Sequence, residues 1–231
     1  MVVKRIIKDG RWAVRSVLVN EAARRDLEPV LTTASARIPV YVCDTADFLG
    51  ITGHDIHRGC LALVERPRER SFEDVLAASR LVVVLEDVAN ADNVGGVFRN
   101  AAAFGADAVL LSPRCCDPLY RKAVRTSMAA TLRVPFVHLA DWPAALGRVR
   151  AAGFALVALT PRAGAEPLDA FASRPHAAKR ALLVGTEGAG LTAEAESAAD
   201  DRVSIPIAPH VDSLNLAVAV GIALYRLGPK L

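Results

Sequence analysis

The chain has 231 residues, 52% hydrophobic and 23% charged, with a formal net charge of +3. These proportions exclude a disordered chain and describe a folded protein with a sizeable core. No stretch of 18 residues is continuously apolar and the N-terminus lacks a signal-peptide layout, so a soluble cytoplasmic protein without a membrane partner is expected.

The basic surplus is local: residues 1–70 carry 12 Lys/Arg against 9 Asp/Glu, and residues 71–231 carry 16 against 16. A basic N-terminal third suits a polyanionic partner without requiring one. In that third, strand-like residues 16–19, 39–42 and 60–64 alternate with helical residues 21–33 and 46–49. A break follows, where Glu65-Arg66-Pro67-Arg68-Glu69-Arg70-Ser71 is charged, contains proline and has little to bury. Two domains are therefore expected, 1–66 and 80–231, joined by a linker over 67–79.

Beyond the break the pattern is regular. Apolar strands at 81–85, 108–111, 134–139, 154–159, 181–184 and 203–207 alternate with helices near 94–104, 119–129, 142–151, 192–199 and 214–227. Such βαβ alternation predicts an α/β fold with a mostly parallel sheet covered on both faces. In open sheets of this kind, ligands bind outside the carboxyl ends of the strands.

Three segments lie at such strand ends. In Asp92-Asn93-Val94-Gly95-Gly96-Val97-Phe98-Arg99, Asn93 is the expected cap of a helix starting at Val94. The poor helix formers Gly95 and Gly96 make sense there if something must approach the backbone closely. The second segment, Gly185-Thr186-Glu187-Gly188-Ala189-Gly190-Leu191, looks like a phosphate loop, but it is neither G-x-G-x-x-G nor a P-loop. Glu187 would repel a pyrophosphate, so a neutral or cationic ligand suits this loop better.

In the third segment, Ile205-Pro206-Ile207 precedes Asp212-Ser213-Leu214-Asn215-Leu216, with Asp212 or Ser213 as the expected helix cap. His210, Asp212 and Ser213 do not make a hydrolase triad. Three members within four residues could hardly align nucleophile, base and orienter, and no G-x-S-x-G elbow is present. Between Arg114 and Arg133, the basic residues Arg121, Lys122 and Arg125 either line a phosphate-holding helix face or form a solvated one.

Cys43, Cys60, Cys115 and Cys116 form no C-x-x-C pair and no disulfide framework, and read as small semi-buried thiols. His54 and His57 have no third ligand nearby, so no metal is expected. A dinucleotide-dependent oxidoreductase would share the alternation, but would need its glycine turn after the first strand and an acid roughly 20 residues on.

Together the three segments resemble the signature motifs of the SpoU (TrmH-type) RNA 2′-O-ribose methyltransferases, in the knotted SPOUT class. Asn93, Gly95 and Arg99 with Ala103-Phe104-Gly105-Ala106 are similar to the first motif, and Gly185, Glu187, Gly188, Gly190 and Leu191 to the second. Ile205-Pro206-Ile207 with Ser213-Leu214-Asn215-Leu216 is similar to the third. The resemblance covers about residues 80–231. Ser16-Val17-Leu18-Val19 and residues 52–62, with His54, His57 and Arg58, are more weakly similar to the family's RNA-binding domain, which is expected to be shortened here at its first helix. Ala129 stands where relatives often have glycine.

The resemblance implies a C-terminal trefoil knot, a small N-terminal α/β RNA-binding domain, S-adenosylmethionine as cofactor and a homodimer. It implies methylation of a ribose 2′-hydroxyl in ribosomal RNA or, second, transfer RNA. Arg99, Asn93, Glu187, Ser213 and Asn215 would be catalytic, with Arg99 as the family's candidate base. Thr160, Gly185, Ile205 and Leu214 would hold the cofactor, and Arg114, Arg121, Lys122 and Arg125 the RNA. The alternative is an inactive RNA-binding module with the same fold.

Overall fold

The runs Leu81–Leu85, Ala108–Leu111 and residues 181–184 are buried at every position, as strands covered on both faces require. They belong to a computed structural model that describes residues 2–34, 37–53, 56, 59–68 and 70–229. The chain forms two compact units, Met1–Arg68 and Glu69–Leu231.

The first unit holds α1 (Val2–Asp9), β1 (Val14–Val19), α2 (Glu21–Leu31), β2 (Val40–Val42), α3 (Asp47–Thr52) and β3 (Cys60–Val64). β1 is central, parallel to β2 and antiparallel to β3. Val17 and Val19 point to one face of this sheet and pack with Val3 and Ile7 of α1 and Ala23, Leu27 and Val30 of α2. Asn20 starts α2, its side-chain oxygen accepting the Ala23 N–H at 2.8 Å. Helix α1 was not read from apolar spacing, although the resemblance led to a first helix being expected at the start of this domain. His54, His57 and Arg58 lie outside the described residues.

The second unit begins with α4 (Phe72–Ala77), inside the expected linker. Its Val75 and Leu76 are buried in the core of this unit, so residues 72–77 belong to it. There follow β4 (Leu81–Leu85), α5 (Ala91–Phe104), β5 (Ala108–Leu111), α6 (Arg121–Thr126), a 3-10 turn at Ala130–Leu132, β6 (Phe136–His138), α7 (Ala145–Ala151) and β7 (Ala155–Leu159). The last elements are β8 (Glu166–Pro167), α8 (Leu168–Ser173), β9 (Arg180–Val184), α9 (Ala193–Ser197), β10 (Asp201–Ser204) and α10 (Leu216–Leu227).

The sheet runs β6-β5-β4-β9-β7-β10-β8, and every pairing in it is parallel. One face (Leu81, Val83, Leu85, Val109, Leu111, Leu182, Val184) packs against α5, α8 and α10. The other (Val82, Val84, Ala108, Leu110, Ala181, Leu183) packs against α4, α7 and α9. The late strands β9 and β10 each enter between strands laid down earlier.

Three expected boundaries are corrected. β10 stops at Ser204, before Pro206, which has no N–H to give a ladder. α5 starts three residues earlier than its pattern suggested, because Asn90 and not Asn93 caps it, accepting the Asp92 N–H at 2.8 Å. α10 is capped by Asn215 rather than by Asp212 or Ser213.

Candidate active site

The three polar segments meet at the carboxyl edge of the second unit's sheet. Asn93, in the first turn of α5, is only 4% exposed. Its Oδ1 accepts from Asn215 Nδ2 at 2.9 Å, and the same amide donates to Glu187 Oε1 at 3.0 Å. Asn215 Oδ1 faces the other way, accepting the N–H groups of Ala217 and Val218 at 3.0 and 3.3 Å. One side chain thus caps α10 and ties β4's helix, the loop after β9 and the loop after β10 into one cluster. Two donors and one acceptor are the minimum for that task, which an amide supplies and a carboxylate does not.

The glycines serve this convergence through protein contacts rather than ligand approach, which corrects the expectation for Gly95 and Gly96. A Cβ on Gly95 would lie 2.8 Å from the Ala123 carbonyl oxygen of α6, and one on Gly96 2.5 Å from the Ala217 Cβ of α10. A Cβ on Gly185 would sit 2.0 Å from the Gly190 carbonyl carbon. The loop there folds back on itself, closed by the Gly190 N–H donating to the Thr186 carbonyl at 3.0 Å.

Arg99 and Ser213 are exposed and make no hydrogen bond to the cluster. Arg99 is one turn beyond Gly95, which faces α6, and one residue before Asn100, whose Nδ2 donates to the Ala217 carbonyl of α10 at 2.6 Å. It therefore projects between α6 and α10. On α6, Arg121, Lys122 and Arg125 are all exposed. Lys122 Nζ contacts Asp92 at 2.7 Å, and Thr126 donates to Asp92 at 3.0 Å. Both partners pull the Asp92 carboxyl below its usual range. Arg114 is the fourth expected RNA contact, and it pairs with Asp87.

The expected cofactor residues surround the same edge. Thr160 is buried, its N–H donating to the Val203 carbonyl at 2.9 Å. Gly185 is buried too, while Ile205 and Leu214 are half-buried. Between Pro206 and Leu214 the only backbone hydrogen bond among the described residues is Val211 to Ala208, so the other peptide groups are open to a ligand. Neither 185–191 nor 205–216 contains a lysine or arginine, and Glu187 is exposed. Open peptide groups with a carboxylate suit a cationic ligand with hydrogen-bonding edges, and oppose a pyrophosphate.

Glu86 was missed in the sequence. It is 1% exposed and receives three hydrogen bonds, from Trp142 Nε1 at 2.7 Å and from the Thr192 N–H and hydroxyl at 2.8 Å each. The signal was present: an acid directly after five strand residues buried on both faces. Such a group needs several donors. Two adjoining recesses of about 540 and 350 Å³ open beside it.

The thiol of Cys115 donates to the Leu85 carbonyl, and burial pushes its pKa up, as it does for Cys116. Among the described residues, no group of His, Cys, Asp and Glu is placed to hold a metal, and no helix is long and apolar enough to cross a membrane.

The family model described as the SpoU rRNA Methylase family matches residues 80–225. An uncharacterized tRNA/rRNA methyltransferase of Mycobacterium tuberculosis is 44% identical over 194 residues, covering 84% of this chain and 67% of that protein. Among solved structures, the fold is similar to the AdoMet-bound rRNA methyltransferase from Sinorhizobium meliloti, with TM-score 0.80, 24% identity and coverage of 98% and 84% of the two chains. A structure concerned with 2-OH methylation of C/U34 on tRNA matches with TM-score 0.56 and 31% identity, covering 64% of this chain and 94% of that one.

Proposed function

Because the chain belongs to the SpoU rRNA methylase family, we propose that it is an S-adenosylmethionine-dependent RNA methyltransferase acting on a ribose 2′-hydroxyl. Ribosomal RNA is the first substrate and transfer RNA the second. The observation that carries this reading is the single amide of Asn215 joining Asn93 and Glu187, so that all three motifs form one polar cluster. The relatives named tRNA/rRNA methyltransferases and the structure concerned with 2-OH methylation of tRNA support the same substrate class.

S-adenosylmethionine, when bound, supplies a methyl group on a positively charged sulfur. Thr160, Gly185, Ile205 and Leu214 would hold it, chiefly through peptide groups, and Glu187 adds the negative charge that a sulfonium favours. Asn93 and Asn215 fix Glu187 in place, and correct positioning alone contributes several kcal/mol to such reactions. Arginine keeps its proton in nearly any protein setting. Arg99, exposed between α6 and α10, therefore grips an RNA phosphate and stabilises the charge developing on the 2′-oxygen, while the hydroxyl proton passes to solvent water as the methyl–sulfur bond breaks. Ser213 orients the ribose from the loop before α10. Arg114, Arg121, Lys122 and Arg125 extend the basic surface for the RNA backbone.

Two further features belong to the proposal. The insertion of β9 and β10 between earlier strands, with α10 returning to pack on α5, supports a trefoil knot in the second unit. Val218, Ile222 and Tyr225 form an exposed apolar stripe on α10, with Tyr225 71% exposed, and this supports a symmetric homodimer through that helix.

The test is transfer of a labelled methyl group from S-adenosylmethionine to total RNA, with alkali-resistant positions mapped afterwards. Arg99→Ala is expected to lower transfer at least about 10²-fold while cofactor binding by calorimetry stays unchanged. Near-normal turnover in that variant, or a methylated base in the product, overturns the assignment.

A further inference from the structure

The carboxyl edge of the sheet carries a recess that the reaction above touches only through Arg114 at its rim. Glu86 continues the row Val82, Val84 on the face covered by α4, α7 and α9. Its three hydrogen bonds, part-buried, orient Trp142 and Thr192. The half-buried indole forms one wall of the cavity of about 350 Å³, and Pro113, Pro143, Arg114 and Glu194 form others. An indole and two prolines offer flat apolar surfaces, and the volume suits a ring.

Charge narrows the choice of ligand. Arg114, whose side chain is 80% exposed, is held by Asp87 at the rim, so that pair is neutral. Asp87 in turn accepts from the Ser112 hydroxyl at 2.8 Å. Glu194 is exposed and makes no ion pair among the described residues. Glu86 and Glu194 both line the recess without a cationic partner among the described residues. Glu86 is already occupied by three neutral donors and Glu194 is free to accept, so the recess repels phosphate and favours a flat group that donates hydrogen bonds.

We infer that this recess receives a nucleobase with an exocyclic amino group, stacked on Trp142 and donating to Glu194, from a nucleotide near the methylated one. The inference rests on the RNA reading given above. Thr192 lies five residues past Glu187, so recess and polar cluster are at most about 18 Å apart along the chain, within reach of a neighbouring nucleotide. Stacking accepts any base, so the selection falls to Glu194. Uracil, with carbonyl oxygens and no amino group, is disfavoured.

The sequence has two tryptophans, so the full chain with Trp12→Phe reports on Trp142 fluorescence alone. Cytidine and uridine decamers serve as probes. The cytidine decamer is expected to quench Trp142 and to bind about tenfold tighter than the uridine decamer, as a hydrogen bond to a charged group warrants. Glu194→Gln is expected to bring the two affinities together. This exposed, isosteric change keeps the test independent of whether Trp142→Ala folds.

Equal binding of both decamers to the protein with Glu194 intact, or an unquenched Trp142 at saturation, overturns the inference. So does loss of the quench on saturating S-adenosylhomocysteine, which would give the recess to the cofactor. Methyl transfer to RNA by the wild-type protein, measured alongside, separates failure of the recess from failure of the methyltransferase reading.

Discussion

Asp87 holds the start of the chain between β4 and α5: its N–H donates to the Ser112 hydroxyl at 2.8 Å, and its carboxylate binds Arg114 and that same hydroxyl. The Arg114 hydrogen bond and then the Ser112 one depress its carboxyl. A depressed carboxyl stabilises the fold above the unfolded pKa of about 3.9, and the contribution is lost as pH falls through the lower folded value. Wild type is therefore expected to exceed Asp87→Asn in urea stability near neutrality, with the gap closing below about pH 4. A gap that stays constant to pH 2 would remove the ionic explanation.

Gly185 has no such adjustable environment. A methyl there meets backbone rather than a flexible side chain, so Gly185→Ala is expected to cost about 3 kcal/mol in urea melts and to abolish methyl transfer. Wild-type stability in that variant would show that the loop opens freely. Ala129 is the milder case. Its φ is +70°, a conformation that favours glycine and costs other residues about 1 kcal/mol. The buried methyl returns about 0.8 kcal/mol, which nearly offsets that cost and explains why alanine is tolerated in this conformation.

Between elements, the decisive contact is α10 on α5. Gly96 admits Ala217, and Gly221 admits the Asn100 side chain, whose amide then holds the Ala217 carbonyl. One face of α10 (Leu216, Val220, Ala223, Leu224, Leu227) is consumed in the core, which leaves Val218, Ile222 and Tyr225 outward. Ile222→Asp is expected to convert a dimer into a folded monomer by light scattering. A wild-type chain that is monomeric at micromolar concentration would sink the dimer proposal. Most strands and helices of the second unit were legible from apolar runs and helical spacing. Their ends were not, because Asn90, Asn93, Asp212, Ser213 and Asn215 all suit a cap, and only the observed hydrogen bonds identify which ones do. Helix α4 was hidden by the charged residues before it, and β8 by its two-residue length and its proline.

Across the whole molecule, the two units meet in sequence at Arg68 and Glu69, inside the charged, proline-containing stretch. Brief trypsin treatment is expected to cut first at Arg68 and Arg70 and to leave a protected fragment containing the second unit. First cuts within α5 or α10 would contradict the division. The sequence by itself determined the α/β class, the parallel sheet and the polar residues at its carboxyl edge. These follow from local spacing, burial preference and the ends of apolar runs. The tertiary structure decided which of those residues meet. Asn215 joins Asn93 across 122 positions and Glu187 across 28, and Glu86 joins Thr192 across 106. Such contacts depend on strand order, on β9 and β10 entering between earlier strands. No local preference specifies that order, because it is set by the packing of the whole sheet.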